Sequence, residues 1–184
     1  MARVFDDVPE RGPVRATRPS GPPGRRIPMI EPVRRDVTVA ASLDETFRLF
    51  TDDMAAWWPL ETHSMAADRD DGTTVSQLVF EPRQGGRLYE IADDGTEGTW
   101  GRVVVWEPPH RLVLAWKPNL RDEPETEVEV TFAAVQTGTR VALEHRGWEL
   151  LGERAESAAA GYRSGWSFIL GERFAPAAAA SWGG

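Results

Sequence analysis

One amphipathic stretch near the C-terminus constrains this chain more than any other. Between about Ala155 and Phe174, the residues Tyr162, Trp166, Ile169, Leu170 and Phe174 recur at the spacings of one helical face, which predicts a long helix with a wide apolar stripe. Such a helix must lie against a broad apolar surface. The preceding segments offer one, because they alternate with period two and are punctuated by turn residues, without helical periods between them. The expectation is an α+β architecture in which a curved antiparallel sheet grips the C-terminal helix and encloses a pocket between sheet and helix.

The segments read in order as follows. Val33–Val39 alternates and is β-branched, hence a strand. Ser42 and Glu45 stand at capping-box spacing before a short helix through Phe47, Leu49 and Phe50. Thr51-Asp52-Asp53 offers a second cap for a short helix running into Trp57-Trp58 and stopped by Pro59. The polar stretch from His63 to Thr73 reads as a mobile loop. Strands are then expected over Val75–Phe80, Gly86–Ile91, Thr96–Trp106, Arg111–Lys117, Glu125–Val135 and Thr139–Arg146. Asp94-Gly95 is a strong two-residue hairpin signal, Pro108-Pro109 and Thr137-Gly138 supply further turns, and Asn119–Pro124 is a linker.

The ends have a different composition. Residues 1–31 are rich in Arg, Pro and Gly, show no apolar periodicity, and read as a disordered tail, or as an extension ahead of a start at Met29. The functional alternative is a basic tether for an acidic partner. Residues 32–175 form the expected domain, and the Ala-rich 176–184 end is expected to fray. The chain has no cysteine, which excludes disulfides, thiolate metal sites and a cysteine nucleophile, and no apolar run long enough to span a bilayer. A cytoplasmic location is expected. Net charge is −8, and because the tail is basic the remainder is more acidic still, a poor surface for nucleic acid.

Alternation sorts candidate pocket residues by face. A Thr137-Gly138 turn would pair Phe132 with Leu143 and Val130 with His145, placing His145 on the apolar face and Glu125, Glu127, Glu129 and Glu144 on the other. His145 is then either a core histidine satisfied by a hydrogen bond, or a ligand contact or general base. Across the Asp94-Gly95 hairpin the same logic groups Arg87, Tyr89, Trp100 and Arg102 as a cavity floor suited to an anionic or aromatic ligand, or as a solvated outer face. Pro108-Pro109 does not fix register, so Trp116 faces either with Trp100 or opposite to it. There is no P-loop, zinc-type histidine pair, nucleophile elbow or dinucleotide fingerprint, so no cofactor, metal or catalytic residue is assigned.

Several pieces together resemble one known group. Gly85 to Glu90, Asp94-Gly95, Trp100 to Val103, Trp106 to Pro109, Leu112, Trp116, Thr126 to Val130, Leu143 to Trp148, Tyr162 and Gly165-Trp166 are similar to the SRPBCC (START-like) superfamily. The branch resembled is that of the activator of heat-shock-protein-90 ATPase, C-terminal domain type. The resemblance spans about Pro32 to Phe174 and implies a helix-grip fold with a hydrophobic cavity. It carries no shared catalytic residues, so function rests on the site.

Three functions follow as expectations. The first is a binding or carrier domain for a small apolar or aromatic ligand, lined by Trp57, Phe80, Tyr89, Trp100, Trp116, His145, Tyr162 and Trp166. The second is a cyclase- or dehydratase-type enzyme in the same cavity, with His145 or Tyr89 moving protons. The third is a co-chaperone-like module whose partner is a chaperone-type protein.

Overall fold

The structure is a computed structural model that describes residues 30–117 and 124–181. The expectations for residues 1–29 and most of the Asn119–Pro124 linker lie outside these. Seven strands form one antiparallel sheet: β1 Val33–Val39, β2 Val75–Phe80, β3 Arg87–Ala92, β4 Glu97–Glu107, β5 Arg111–Trp116, β6 Thr126–Val135 and β7 Gly138–Arg146. Their order is β1-β7-β6-β5-β4-β3-β2, so consecutive strands neighbour each other from β2 to β7 and β1 closes the far edge beside β7. Short turns between neighbours make this meander the expected topology.

Helix α1, Leu43–Thr51, opens with the anticipated box. The Ser42 hydroxyl accepts from the Glu45 backbone N–H, and the Glu45 carboxylate accepts from the Ser42 N–H at 3.0 Å. The next segment is only a 3-10 turn, Met54–Ala56, and Asp53 makes no capping bond to it, contrary to the cap read at Thr51-Asp52-Asp53. The Thr51 hydroxyl instead donates back to the Phe47 carbonyl, inside α1.

The C-terminal rod begins with a 3-10 segment, Trp148–Arg154, which Gly147 permits by turning at φ 91°. Helix α2, Ala155–Phe168, continues into a π segment, Ile169–Phe174, and then helix α3, Ala175–Ala180. Pro176 accounts for the widened turn. It has no N–H, and its ring would strike the carbonyl four residues back, so the preceding turn opens and the Ala175 N–H reaches the Leu170 carbonyl. The helical path therefore runs past Phe174 into the segment expected to fray, and Ala178 in α3 is fully buried.

Inward residues of the sheet meet one face of the rod. Leu88, Val103, Leu112, Val128, Val130, Val141 and Leu143 pack with Trp166, Ile169, Leu170 and Phe174 in one core. Phe50, Trp57 and Phe174 meet edge-on or tilted, with ring centroids 4.9–5.3 Å apart. The opposite face of the sheet is charged. Arg146 bridges Glu127, Glu129 and Glu144, and Arg111 adds Glu129 and Glu107, which satisfies the carboxylates that alternation placed there.

Two registers differ from expectation. The last hairpin turns at Gln136-Thr137, so Val130 pairs with Leu143 and Val128 with His145. That slip is two residues, so every side chain keeps its face. In the Asp94-Gly95 hairpin, Leu88 pairs with Gly101 but Tyr89 with Thr99, which makes Trp100 the extra residue of a β-bulge. The bulge reverses parity. Trp100 turns inward while Arg87, Tyr89 and Arg102 stay outside, so the four do not share a face. Gly101 is what the bulge requires, because a Cβ there would sit 2.3 Å from the Ala115 carbonyl oxygen of β5.

Candidate functional site

A cavity of about 380 Å³ lies between α2 and the concave sheet. Its helix wall is made by Ala158, Gly161, Tyr162, Gly165, Trp166 and Ile169. Opposite stand Trp58, Trp100 and Trp116, and the third wall is the stretch from Thr62 to Met65 with Asp68. Trp100 and Trp116 both face in, with centroids 6.2 Å apart: Gly101 pairs directly with Trp116 across β4 and β5, and the bulge turns Trp100 to the same side as Gly101. A Cβ on Gly161 or Gly165 would meet no heavy atom within 4 Å, so neither position fills the space that α2 borders.

Every indole N–H in this wall is committed to a protein acceptor. Trp58 Nε1 donates to the His63 carbonyl at 2.7 Å, and Trp100 Nε1 to the Glu90 carboxylate at 2.6 Å. Trp116 Nε1 donates to the Tyr162 hydroxyl and Trp166 Nε1 to His145 Nδ1, both at 3.0 Å. Rings held this way offer the cavity only carbon surface and no free N–H.

His145 is fully buried behind Trp166, with its ring against Trp148 and Tyr162. Its Nδ1 accepts from Trp166, so the proton sits on Nε2, which donates to Thr126 Oγ1 at 2.8 Å; that hydroxyl donates on to the Trp116 carbonyl. Burial lowers the His145 pKa from 6.5 to about 3, which keeps the ring neutral. Both nitrogens are used and neither faces the cavity. Of the two readings open for His145, the satisfied core histidine is the one whose geometry is present. Tyr162 differs: burial raises its pKa, with the Trp116 N–H opposing and the Asp68 carboxylate adding to the rise.

The third wall is anchored by a residue that sequence reasoning missed. Glu90 is 2% exposed and accepts from the Ala66 N–H at 2.7 Å and the Met65 N–H at 2.9 Å as well as from Trp100. The segment read as a mobile loop is thus pinned to the sheet by a buried carboxylate, with Ser64 and Ala66 buried. The available signal was its parity with Leu88 and Ala92, which puts an acid on the inward face of β3.

Of the eight residues proposed to line the pocket, Trp100, Trp116, Tyr162 and Trp166 do so together. Trp57 does not, for it is buried against Phe50 and Phe174 with its N–H on the Leu49 carbonyl, and its neighbour Trp58 takes the lining position. Phe80 packs on Trp106, outside this cavity. Tyr89 lies on the outer face beneath the Arg87 guanidinium, 4.1 Å from its ring centroid, so it moves no proton in the cavity. His145 forms the layer behind the lining. Among the described residues no group of three or more His, Asp or Glu side chains is placed to hold a metal, and no helix is long and apolar enough to cross a membrane.

No curated protein matches the chain significantly. Among solved structures, a protein from Mesorhizobium loti superposes with a TM-score of 0.58 at 19% identity, covering 79% of this chain and 95% of that one. The AHSA1-like protein from Aeromonas hydrophila gives 0.54 at 22% identity, covering 79% and 90%. An anthrahydroquino-gamma-pyrone synthase is 38% identical over 70% of this chain and 84% of its own, with a TM-score of 0.48. The model of the activator of Hsp90 ATPase homolog 1-like protein family matches residues 40–177, and the chain belongs to that family.

Proposed function

We propose that this chain is a binding or carrier domain for a small apolar, aromatic ligand held between α2 and the sheet. The observation that carries this reading is the cavity itself: an open space of about 380 Å³ lined by Trp58, Trp100, Trp116 and Trp166, with no side chain from Gly161 or Gly165 to fill it. A planar ring system entering this space would pack on the parts of these rings that border it, without needing to displace a protein hydrogen bond. A cytoplasmic location is part of the proposal, and the lack of cysteine is compatible with it.

The two alternatives have less support. A proton-transfer role for His145 lacks a lone pair or a proton turned to the cavity. A docking face for a chaperone-type partner needs a contiguous apolar patch, whereas the exposed large hydrophobics among the described residues are Val135 and Leu150, on separate elements. The test is titration of the full chain with a panel of neutral polycyclic aromatics, following tryptophan fluorescence and melting temperature. Saturable quenching with a rise in melting temperature supports the reading; a panel that changes neither refutes it.

A further inference from the structure

The cavity contains one hydroxyl whose proton the protein leaves uncommitted. The four indole N–H groups are spent, and so are Ser64 Oγ, which donates to the Leu60 carbonyl, Ser157 Oγ, which donates to the Arg154 carbonyl, and Thr62 Oγ1, which is hydrogen-bonded to His63 Nδ1 at 2.8 Å. Tyr162 is the exception. Its oxygen accepts from Trp116 Nε1 at 3.0 Å, so the indole occupies an acceptor position and the phenolic O–H must point elsewhere. Among the described residues, no acceptor receives that proton in a hydrogen bond. Tyr162 lines the cavity from α2, between Gly161 and the Trp166 ring four residues on.

We propose that Tyr162 is the specificity-determining donor of the cavity, and that the ligand class is a planar aromatic carrying a carbonyl oxygen, which accepts the Tyr162 O–H. The inference rests on the aromatic-ligand reading above and narrows it from ring shape to ring plus acceptor. Three features favour an acceptor. Trp116 polarises the hydroxyl by donating to it, which strengthens the outgoing bond. Burial holds the phenol in its protonated, donating form. The hydroxyl is also fixed in position: the chain of bonds from Trp166 through His145 and Thr126 to the Trp116 carbonyl braces both tryptophans that flank it.

The test uses two probes of the same shape, 9-fluorenone and fluorene, which differ by a ring carbonyl against a methylene. Affinities of both are measured for the wild-type chain and for Tyr162→Phe, and the quantity read is the fluorenone-to-fluorene ratio. Solvation differences between the probes and any general loosening cancel in that ratio, and because Tyr162→Phe frees the Trp116 N–H to donate in its place, the ratio is read in the Trp116→Phe and Trp116→Phe/Tyr162→Phe variants as well. The expected result is a ratio that falls about fivefold in Tyr162→Phe, the size of one neutral hydrogen bond. The carbonyl stretch of bound fluorenone should lie at lower frequency in the wild type than in the variant. A ratio that survives the substitution, or a stretch that does not change, overturns the assignment while leaving the pocket reading intact. Failure of both probes to bind the wild type overturns the pocket reading and this assignment with it.

Discussion

Replacing Glu90 by Gln should both destabilise the protein and loosen one wall of the cavity. In the wild type the carboxylate takes three N–H donors, from Ala66 on one oxygen and from Met65 and Trp100 on the other, at 2.6–2.9 Å. Glutamine has the same shape but only one acceptor oxygen. The better orientation keeps that oxygen on Met65 and Trp100 and turns the NH2 group towards the Ala66 N–H, donor against donor. The buried N–H so orphaned costs about 1–3 kcal/mol, and the two retained bonds lose their charge assistance. Against this, the variant no longer buries a charge, which offsets part of the loss. A net destabilisation of about 2 kcal/mol is expected, or a fall in melting temperature of about 4–8 °C for a chain of this size. Because Met65 and the residues around it form the cavity wall, affinity for the aromatic ligand should fall in parallel, and the 62–73 segment should become a preferred site of limited proteolysis. A variant that melts with the wild type would refute the carboxylate's role. One that melts lower but binds and resists protease as before would refute its link to the wall.

Four further outcomes are expected. Gly161→Leu should abolish aromatic binding by filling the cavity while raising stability by up to about 1 kcal/mol through helix propensity, as read by titration and denaturant unfolding. His145 is neutral when folded and protonates near its ordinary 6.5 when unfolded, so its contribution is complete above about pH 6.5 and is lost as pH falls towards about 3; urea unfolding across that range should show a slope that His145→Phe flattens. Arg146→Ala removes the cation shared by Glu127, Glu129 and Glu144, leaving Glu129 with Arg111 and Glu144 with Arg34, and should cost about 1 kcal/mol at low salt and less at high salt, by unfolding at two ionic strengths. Gly101→Ala should cost more than about 2 kcal/mol, since its Cβ would meet backbone rather than a movable side chain.

The sequence carried the fold because its signals were local. Alternation, the Ser42–Glu45 box and the Asp94-Gly95 turn each act over a few residues, and together they specify a meander before a long helix. The two-residue slip in the last hairpin did no harm, because parity survives an even shift. What alternation could not show was the bulge at Trp100, which depends on the close approach of Gly101 to Ala115 on another strand. That one extra residue decides which of Tyr89 and Trp100 belongs to the cavity. The same applies to the 63–73 segment. Its polarity resembles that of a free loop because its partner, Glu90, lies over twenty residues further on. Trp57 and Trp58 are chemically alike, and only the turn geometry at Met54–Ala56 tells the packed one from the lining one.

A cavity walled by apolar rings should tend to close, since collapse would bury further surface at about 25 cal/mol per Å². Two features oppose closure here. Each of Trp58, Trp100, Trp116 and Trp166 is held by a hydrogen bond from its indole N–H, so moving any ring inward would orphan a buried donor or acceptor at about 1–3 kcal/mol. On the other side Gly161 and Gly165 offer no side chain to fill the space, although each glycine costs a helix about 1 kcal/mol relative to alanine. A chain optimised for stability alone would place larger residues at both positions and lose the cavity. Keeping them small while the rings are braced is the arrangement that the proposed binding role calls for, since the rings are then ordered before any ligand enters.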